Sequence, residues 1–144
     1  MILICGAGIS GLCTAYFLEN FVDENIIIVE RKKEIGKTDS GLISDLIIKA
    51  FNFFDLIEKE FNIANFHFKD KKIEIKSNKK MYLIKREEID KRIANLLTKT
   101  KIYLGEEVIK IENSIARTNK RKIKFDLLID ARGSFSNLAK RKKV

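Results

Sequence analysis

An α/β fold built on a parallel sheet is what this sequence predicts, from three observations. Met1–Cys5 is an almost unbroken apolar run, glycines follow at positions 6, 8 and 11, and a second apolar run, Ile26–Val29, ends on the acidic Glu30. Apolar runs without polar alternation suit strands buried on both faces of a parallel sheet. A strand, a Gly-x-Gly-x-x-Gly turn and a helix together form a βα unit shaped to hold a dinucleotide.

Each element of that unit has a physical reason. Gly6 makes the tight turn, Gly8 lets the backbone approach a pyrophosphate, and Gly11 lets helix pack on strand. The helix, expected from about Leu12 to Leu18, starts with backbone N–H groups that have no intrahelical partner and a partial positive charge, both suited to phosphate. Glu30 lies 19 residues beyond Gly11, where a dinucleotide fold places the carboxylate that bonds a ribose diol.

Further along, residues 32–44 are expected to form a loop. Asp45–Phe61 is expected to be helical, because Ile47, Phe51, Phe54 and Phe61 recur along one helical face, with Ser44 as N-cap. Ile73–Lys76 and Met81–Ile84 are expected to be antiparallel strands joined by a turn at Ser77–Lys80. A second amphipathic helix is predicted from Arg86 to Leu97, carrying Ile89, Ile93, Leu96 and Leu97 on one face. Strands follow at Ile102–Leu104, Glu107–Ile111 and Phe125–Ile129, with a charged hairpin near Asn119.

At 144 residues the chain fits one domain, and its 45% hydrophobic content excludes wholesale disorder. The net charge of +9 is concentrated in Lys69–Arg86, Arg117–Lys124 and the Lys140–Lys143 tail. Lysines at strand edges explain it most simply. Attraction to a cofactor pyrophosphate or to anionic lipid head groups are the functional readings; no nucleic-acid motif accompanies the charge, so no nucleic-acid partner is expected. Cys5 and Cys13 sit among apolar neighbours and are expected to be buried thiols, and His67 stands alone as a structural residue. The N-terminus lacks the basic segment of a signal peptide, and no apolar stretch is long enough to span a bilayer. A cytoplasmic location is expected.

Four segments together resemble the N-terminal portion of FAD-dependent oxidoreductases of the geranylgeranyl reductase type, relatives of the aromatic-ring flavin monooxygenases. They are Ile2–Gly11; Val29-Glu-Arg31 running into Glu34-Ile-Gly36; Lys85-Arg-Glu-Glu-Ile-Asp90; and Phe125–Ser136 with its Asp-Ala-Arg-Gly core. The resemblance implies a Rossmann-like FAD/NAD(P)-binding domain over residues 1–144, with a small antiparallel β insertion, lacking the C-terminal substrate and flavin-ring region. It implies that Gly6, Gly8 and Gly11, with Ala7 and Ser10 in the same turn, border the FAD pyrophosphate. Glu30 would bond the adenosine ribose and Arg31 would lie near the adenine or a phosphate. Arg86 would contact the ribityl-phosphate region, Val108 the adenine edge through its backbone, and Gly41 a loop passing near the flavin. Asp130 and Gly133 belong to the last segment. Two departures stand out. Thr38, Asp39 and Ser40 occupy the loop where relatives often carry a cysteine, so no thiol step carries over. Arg132 replaces the acid that commonly precedes the glycine, and an arginine there is suited to phosphate.

Relatives are much longer than this chain. The resemblance therefore implies the FAD-binding part of a flavin-dependent oxidoreductase reducing prenyl double bonds, with NAD(P)H as electron donor. It is expected to be one half of a split enzyme whose second chain supplies the rest, and a prenyl-lipid substrate would bring it to the periphery of a membrane. The alternatives are a non-catalytic nucleotide-binding module or degraded gene product that binds an ADP-containing ligand without turnover, and a fragment of an NAD(P)-dependent dehydrogenase. The second is disfavoured by the Arg86 and Gly133 segments. No catalytic residue and no metal site is assigned.

Overall fold

The structure, a computed structural model, describes residues 1–36 and 41–133. Thr38–Ser40, Ser134–Ser136 and the Lys140–Lys143 tail, all singled out above, lie outside the described residues. The chain falls into two compact units, one of residues 1–37 and 90–144 and one of residues 38–89.

The first unit is built on a parallel sheet. Its strands are β1 (Ile2–Cys5), β2 (Ile26–Glu30), β6 (Lys101–Leu104) and β10 (Leu127–Asp130), in the order β10-β1-β2-β6. Ile2 pairs with Ile26 on one side and with Leu127 on the other, so β1 is flanked on both edges. Such strands must be apolar on both faces, which is why the Ile2–Cys5 and Ile26–Val29 runs are continuous rather than alternating. Helix α1 (Ile9–Phe21) packs against β1 and β2 with Leu12 and Ala15 buried. The opposite face is covered by an antiparallel sheet of β7 (Val108–Glu112), β8 (Ile115–Thr118) and β9 (Lys122–Lys124). Leu3, Cys5 and Val29 from the parallel sheet meet Val108, Ala116, Ile123 and Phe125 in one core cluster. Asn113 and Ser114 take positive φ in the two-residue β7–β8 turn, a conformation that Asn tolerates well. The charged hairpin expected near Asn119 is the β8–β9 connection, closed by the Thr118 N–H on the Arg121 carbonyl at 2.8 Å.

The second unit holds a sheet of order β3-β5-β4, from β3 (Leu42–Ser44), β4 (Ile57–His67) and β5 (Lys72–Ile84). Three expectations are corrected in it. The segment expected to be loop up to Ser44 contains β3, paired with Met81–Leu83 of β5. The helix expected over Asp45–Phe61 ends early: α2 is Asp45–Phe51, stopped by Asn52 in the left-handed conformation at φ 55°. A single 3-10 turn, Phe54–Leu56, follows, and Ile57 already belongs to β4. The apolar spacing that suggested one long helix is therefore shared among three elements. Phe54 of that stripe is exposed, whereas Phe53 and Leu56 are buried.

The third correction concerns the turn at Ser77–Lys80. The β4–β5 turn is instead at residues 68–71, closed by the Phe68 N–H on the Lys71 carbonyl. Ser77–Lys80 forms a register shift inside β5. Phe61 pairs with Met81 and Ile63 with Lys76, so only Asn62 faces those four residues. The turn chemistry is still present, since Ser77 Oγ accepts the Lys79 N–H at 3.0 Å. It bulges the strand rather than reversing it.

Helix α3 (Arg86–Leu96) occupies the span expected for the second amphipathic helix, with Ile89 and Ile93 fully buried. Ser44 precedes α2 as its N-cap residue without a side-chain cap hydrogen bond. Cys5 is buried and Cys13 half-buried. His67 is exposed on β4, opposite Lys72.

Candidate cofactor site

The strand order locates the site. From β1 the chain proceeds outward through β2 to β6, then crosses back to place β10 on the other side of β1. In open parallel sheets ligands bind outside the carboxyl ends of the strands where the order reverses in this way. The segments following β1, β2 and β10 carry Gly6–Gly11, Glu30–Arg31 and Asp130–Gly133, so most of the predicted site residues lie in the first unit at that one end of the sheet.

The glycine turn is packed by close backbone contacts. Gly6 has φ +108°, and a Cβ there would lie 2.6 Å from the Ala131 carbonyl oxygen. A Cβ on Gly11 would lie 2.0 Å from the Gly6 carbonyl oxygen. Neither position admits a side chain in this fold. Gly8 is different: a Cβ there would meet nothing within 4 Å. Packing does not require glycine at position 8, whereas close approach of a ligand to the backbone would. Gly8 is also the N-cap residue of α1, and the first turn of that helix contains no acidic side chain. The amides of Ile9 and Ser10 belong to the turn whose N–H groups lack intrahelical acceptors. An anion placed there would find donors and a favourable dipole, with no carboxylate in that turn to repel it.

Glu30 holds the turn from the side. Its Oε2 accepts the Ala7 N–H and its Oε1 the Lys32 N–H, both at 2.8 Å. Its backbone carbonyl accepts the Glu106 N–H at 2.9 Å, extending the β2–β6 pairing past the strand ends. Glu30 is half-buried. Each carboxylate oxygen has a second lone pair, so the group can brace the turn and still accept two hydroxyl donors. That is the donor–acceptor pattern a ribose diol requires. Arg31, next in the chain, is exposed.

On the β10 side, the Ala131 N–H donates to the Cys5 carbonyl at 2.8 Å and continues the β1–β10 pairing. Arg132 forks onto Asp130, with Nε 2.9 Å from Oδ1 and Nη2 3.2 Å from Oδ2. The Asp130 carboxylate raises the Arg132 pKa. The arginine standing where an acid is common is therefore paired with the preceding acid, and a phosphate would have to share it with Asp130. Burial pushes the Cys5 thiol up to about 11, with the Arg132 charge partly opposing the shift. Cys5 is thus a packing residue rather than a nucleophile.

The remaining predicted residues divide. Val108 is buried in the core cluster, its register partner being Thr118. Gly41 and Arg86 lie in the second unit. Gly41 is held against β5: its carbonyl accepts the Ile84 N–H at 3.0 Å, and a Cβ on it would meet the Ile84 carbonyl oxygen at 2.4 Å. Arg86 opens α3, and its side chain lies outside the description.

Sequence reasoning missed one polar cluster near the site. Glu106 follows β6 and is 1% exposed, with Oε1 accepting from Thr118 Oγ1 at 2.6 Å and 3.1 Å from Arg121 Nε. Arg121 also lies over the Tyr103 ring, 4.2 Å from its centroid. The β7–β8 register sets Thr118 beside Glu106 and Tyr103 joins from β6, so no local spacing announces the cluster. Among the described residues no group of His, Cys, Asp and Glu is arranged to hold a metal ion.

No family model matches the chain, and no curated protein matches it. Solved structures do. A geranylgeranyl bacteriochlorophyll reductase-like protein from Thermoplasma acidophilum is 19% identical with TM-score 0.70, over 90% of this chain and 38% of that one. PqsL, a probable FAD-dependent monooxygenase from Pseudomonas aeruginosa, is 12% identical with TM-score 0.71, over 97% and 44%. The halogenase PltM, solved with phloroglucinol and FAD, is 14% identical with TM-score 0.70, over 96% and 35%. The chain spans well under half the length of these proteins. Matching so much of this chain at such low identity, they show its fold: the α/β fold that these proteins share over the part of their length that this chain covers.

Proposed function

We propose that this chain is the FAD-binding part of a flavin-dependent oxidoreductase, with Glu30 and the Gly6–Gly11 turn holding the adenosine diphosphate portion of the cofactor. One observation carries the reading. Gly8 has open space where a side chain would sit, at the N-terminus of a helix without first-turn acids, beside a carboxylate with lone pairs to spare. Those features fit a pyrophosphate with its attached ribose. FAD, when bound, supplies hydride chemistry that none of these side chains can perform alone. The chain's own residues bind and orient. The helix N-terminus takes the phosphates, Glu30 accepts the ribose hydroxyls, and Arg132, held by Asp130, offers a guanidinium at the β10 end.

At finer grain, the reading is a reductase of prenyl double bonds that receives electrons from NAD(P)H. A second chain would complete the flavin-ring and substrate region, and the prenyl-lipid substrate would bring the protein to a membrane surface. The likeness to the reductase-like protein supports the substrate class.

Calorimetric titration of the purified chain with FAD, ADP and NAD tests the core of the proposal. FAD and ADP are expected to bind alike and more tightly than NAD, and Glu30→Gln to weaken both by about tenfold, the loss of roughly one charge-assisted hydrogen bond. Preference for NAD would overturn the flavin assignment. Binding of ADP with no turnover, even in the presence of the second chain, would establish a non-catalytic module instead.

A further inference from the structure

The outer part of the β4–β5 ribbon carries none of the residues proposed to bind the cofactor, and its surface is unusual. Ala64 pairs with Ile75 and Phe66 with Ile73. Because side chains alternate along each strand, these four residues share one face with Phe68 at the turn. Phe66, Phe68, Ile73 and Ile75 are 48%, 61%, 47% and 51% exposed. A two-stranded ribbon normally needs something against its apolar face. Between Phe66 and Lys80 the ribbon also carries six lysines against only Asp70 and Glu74. Lys80 is paired with Glu60 near the base. Among the described residues, Lys69, Lys71, Lys72 and Lys76 form no ion pair.

We propose that the ribbon tip docks this protein on an anionic lipid bilayer, with Phe66, Phe68, Ile73 and Ile75 entering the interface and Lys69, Lys71, Lys72 and Lys76 reaching the head groups. Two features select a bilayer over a protein partner. The exposed apolar area of the four side chains is about 400 Å², taking some 200 Å² for a fully exposed Phe; a stable protein interface buries about 800 Å² per partner. By the same alternation Lys72 and Lys76 lie on the face opposite the apolar one, and Lys69 and Lys71 flank the turn, so positive charge surrounds the tip from behind and at its end. A flat partner surface could contact only one such face, whereas head groups can surround all of them. Aromatic and aliphatic side chains ringed by lysine are the composition that interfacial segments use. The inference deepens the membrane-surface part of the proposed function and rests on it, but not on FAD binding.

Cosedimentation of the full chain with vesicles of phosphatidylcholine, with and without phosphatidylglycerol, tests it. Binding is expected only to the phosphatidylglycerol vesicles and is expected to fall with added salt. Phe66→Ser with Phe68→Ser, and separately Lys69→Glu with Lys71→Glu and Lys72→Glu, should each weaken it by about tenfold or more. All substituted residues are exposed, and ADP affinity measured on the same samples should stay unchanged. Loss of ADP binding with retained vesicle binding would count against the flavin reading alone. Absence of sedimentation, or sedimentation unaltered by both sets of substitutions, would overturn the docking proposal. So would a shift from dimer to monomer on gel filtration of the Phe66→Ser, Phe68→Ser variant with unaltered sedimentation, since a second copy would then cover the face.

Discussion

The three glycines of the turn share a motif but not a reason. Gly6 and Gly11 are fixed by the fold itself, because a Cβ at either collides with backbone carbonyls that cannot retreat. Gly8 faces open space. Stability and binding should therefore separate at adjacent positions of one motif. Gly11→Ala is expected to destabilise the protein by about 3 kcal/mol or more, since relieving the overlap requires α1 to move off β1. Gly8→Ala should leave the urea midpoint within about 0.5 kcal/mol of the parent while lowering ADP affinity tenfold or more. Urea denaturation paired with ADP titration of the two variants checks both. Equal losses of stability would mean that Gly8 is structural too.

At the scale of elements, Glu19 near the end of α1 does what a C-terminal cap cannot. Its carboxylate accepts the N–H groups of Thr98, Lys99 and Thr100, at 3.0, 2.9 and 2.6 Å, tying the helix to the segment that enters β6. Burial works against the charge, but these hydrogen bonds prevail and hold the carboxyl below its ordinary 4.5. A carboxylate with a depressed folded-state pKa stabilises the fold fully above its unfolded value and loses that contribution as pH falls through the folded value. Glu19→Ala is thus expected to cost about 1–2 kcal/mol near neutral pH. The gap between parent and variant should close below the ordinary 4.5, followed by urea midpoints across the acid range. Glu19 was invisible to motif reasoning because its partners lie some eighty residues away. The βαβ unit was legible because its information is local: apolar runs, glycine spacing, and an acid at a strand end. The α2–β4 segment was misread because Asn52 in the left-handed conformation interrupts a spacing that otherwise suits a helix. Ser77–Asn78 had turn chemistry, and only the register of β4 reveals that it produces a bulge. The glycine turn and Glu30 could be placed at the site from sequence. Glu106, Thr118 and Arg121 could not, since only the register of the β7–β8 hairpin sets Thr118 beside Glu106.

The two units differ in how their backbones are protected, and that difference is measurable for the whole molecule. β1 and β2 have hydrogen-bonded neighbours on both edges, and their residues are among the most buried. Residues 63–76 of the ribbon have one partner strand at most and are exposed along the entire stretch. Local opening should therefore cost the ribbon far less than the parallel sheet, whose amides open only with the fold. In hydrogen exchange read by mass spectrometry, peptides covering residues 63–76 are expected to exchange fastest among the strands, and those covering residues 2–5 and 26–29 slowest. Saturating ADP should slow residues 6–11 further while leaving the ribbon unchanged, because binding stabilises only what it contacts or what unfolds with it. Anionic vesicles should do the reverse, protecting residues 66–75 and leaving the glycine turn unaffected. Protection of both regions by either ligand alone would mean that the units unfold together, and that the ribbon and the cofactor turn are energetically one site.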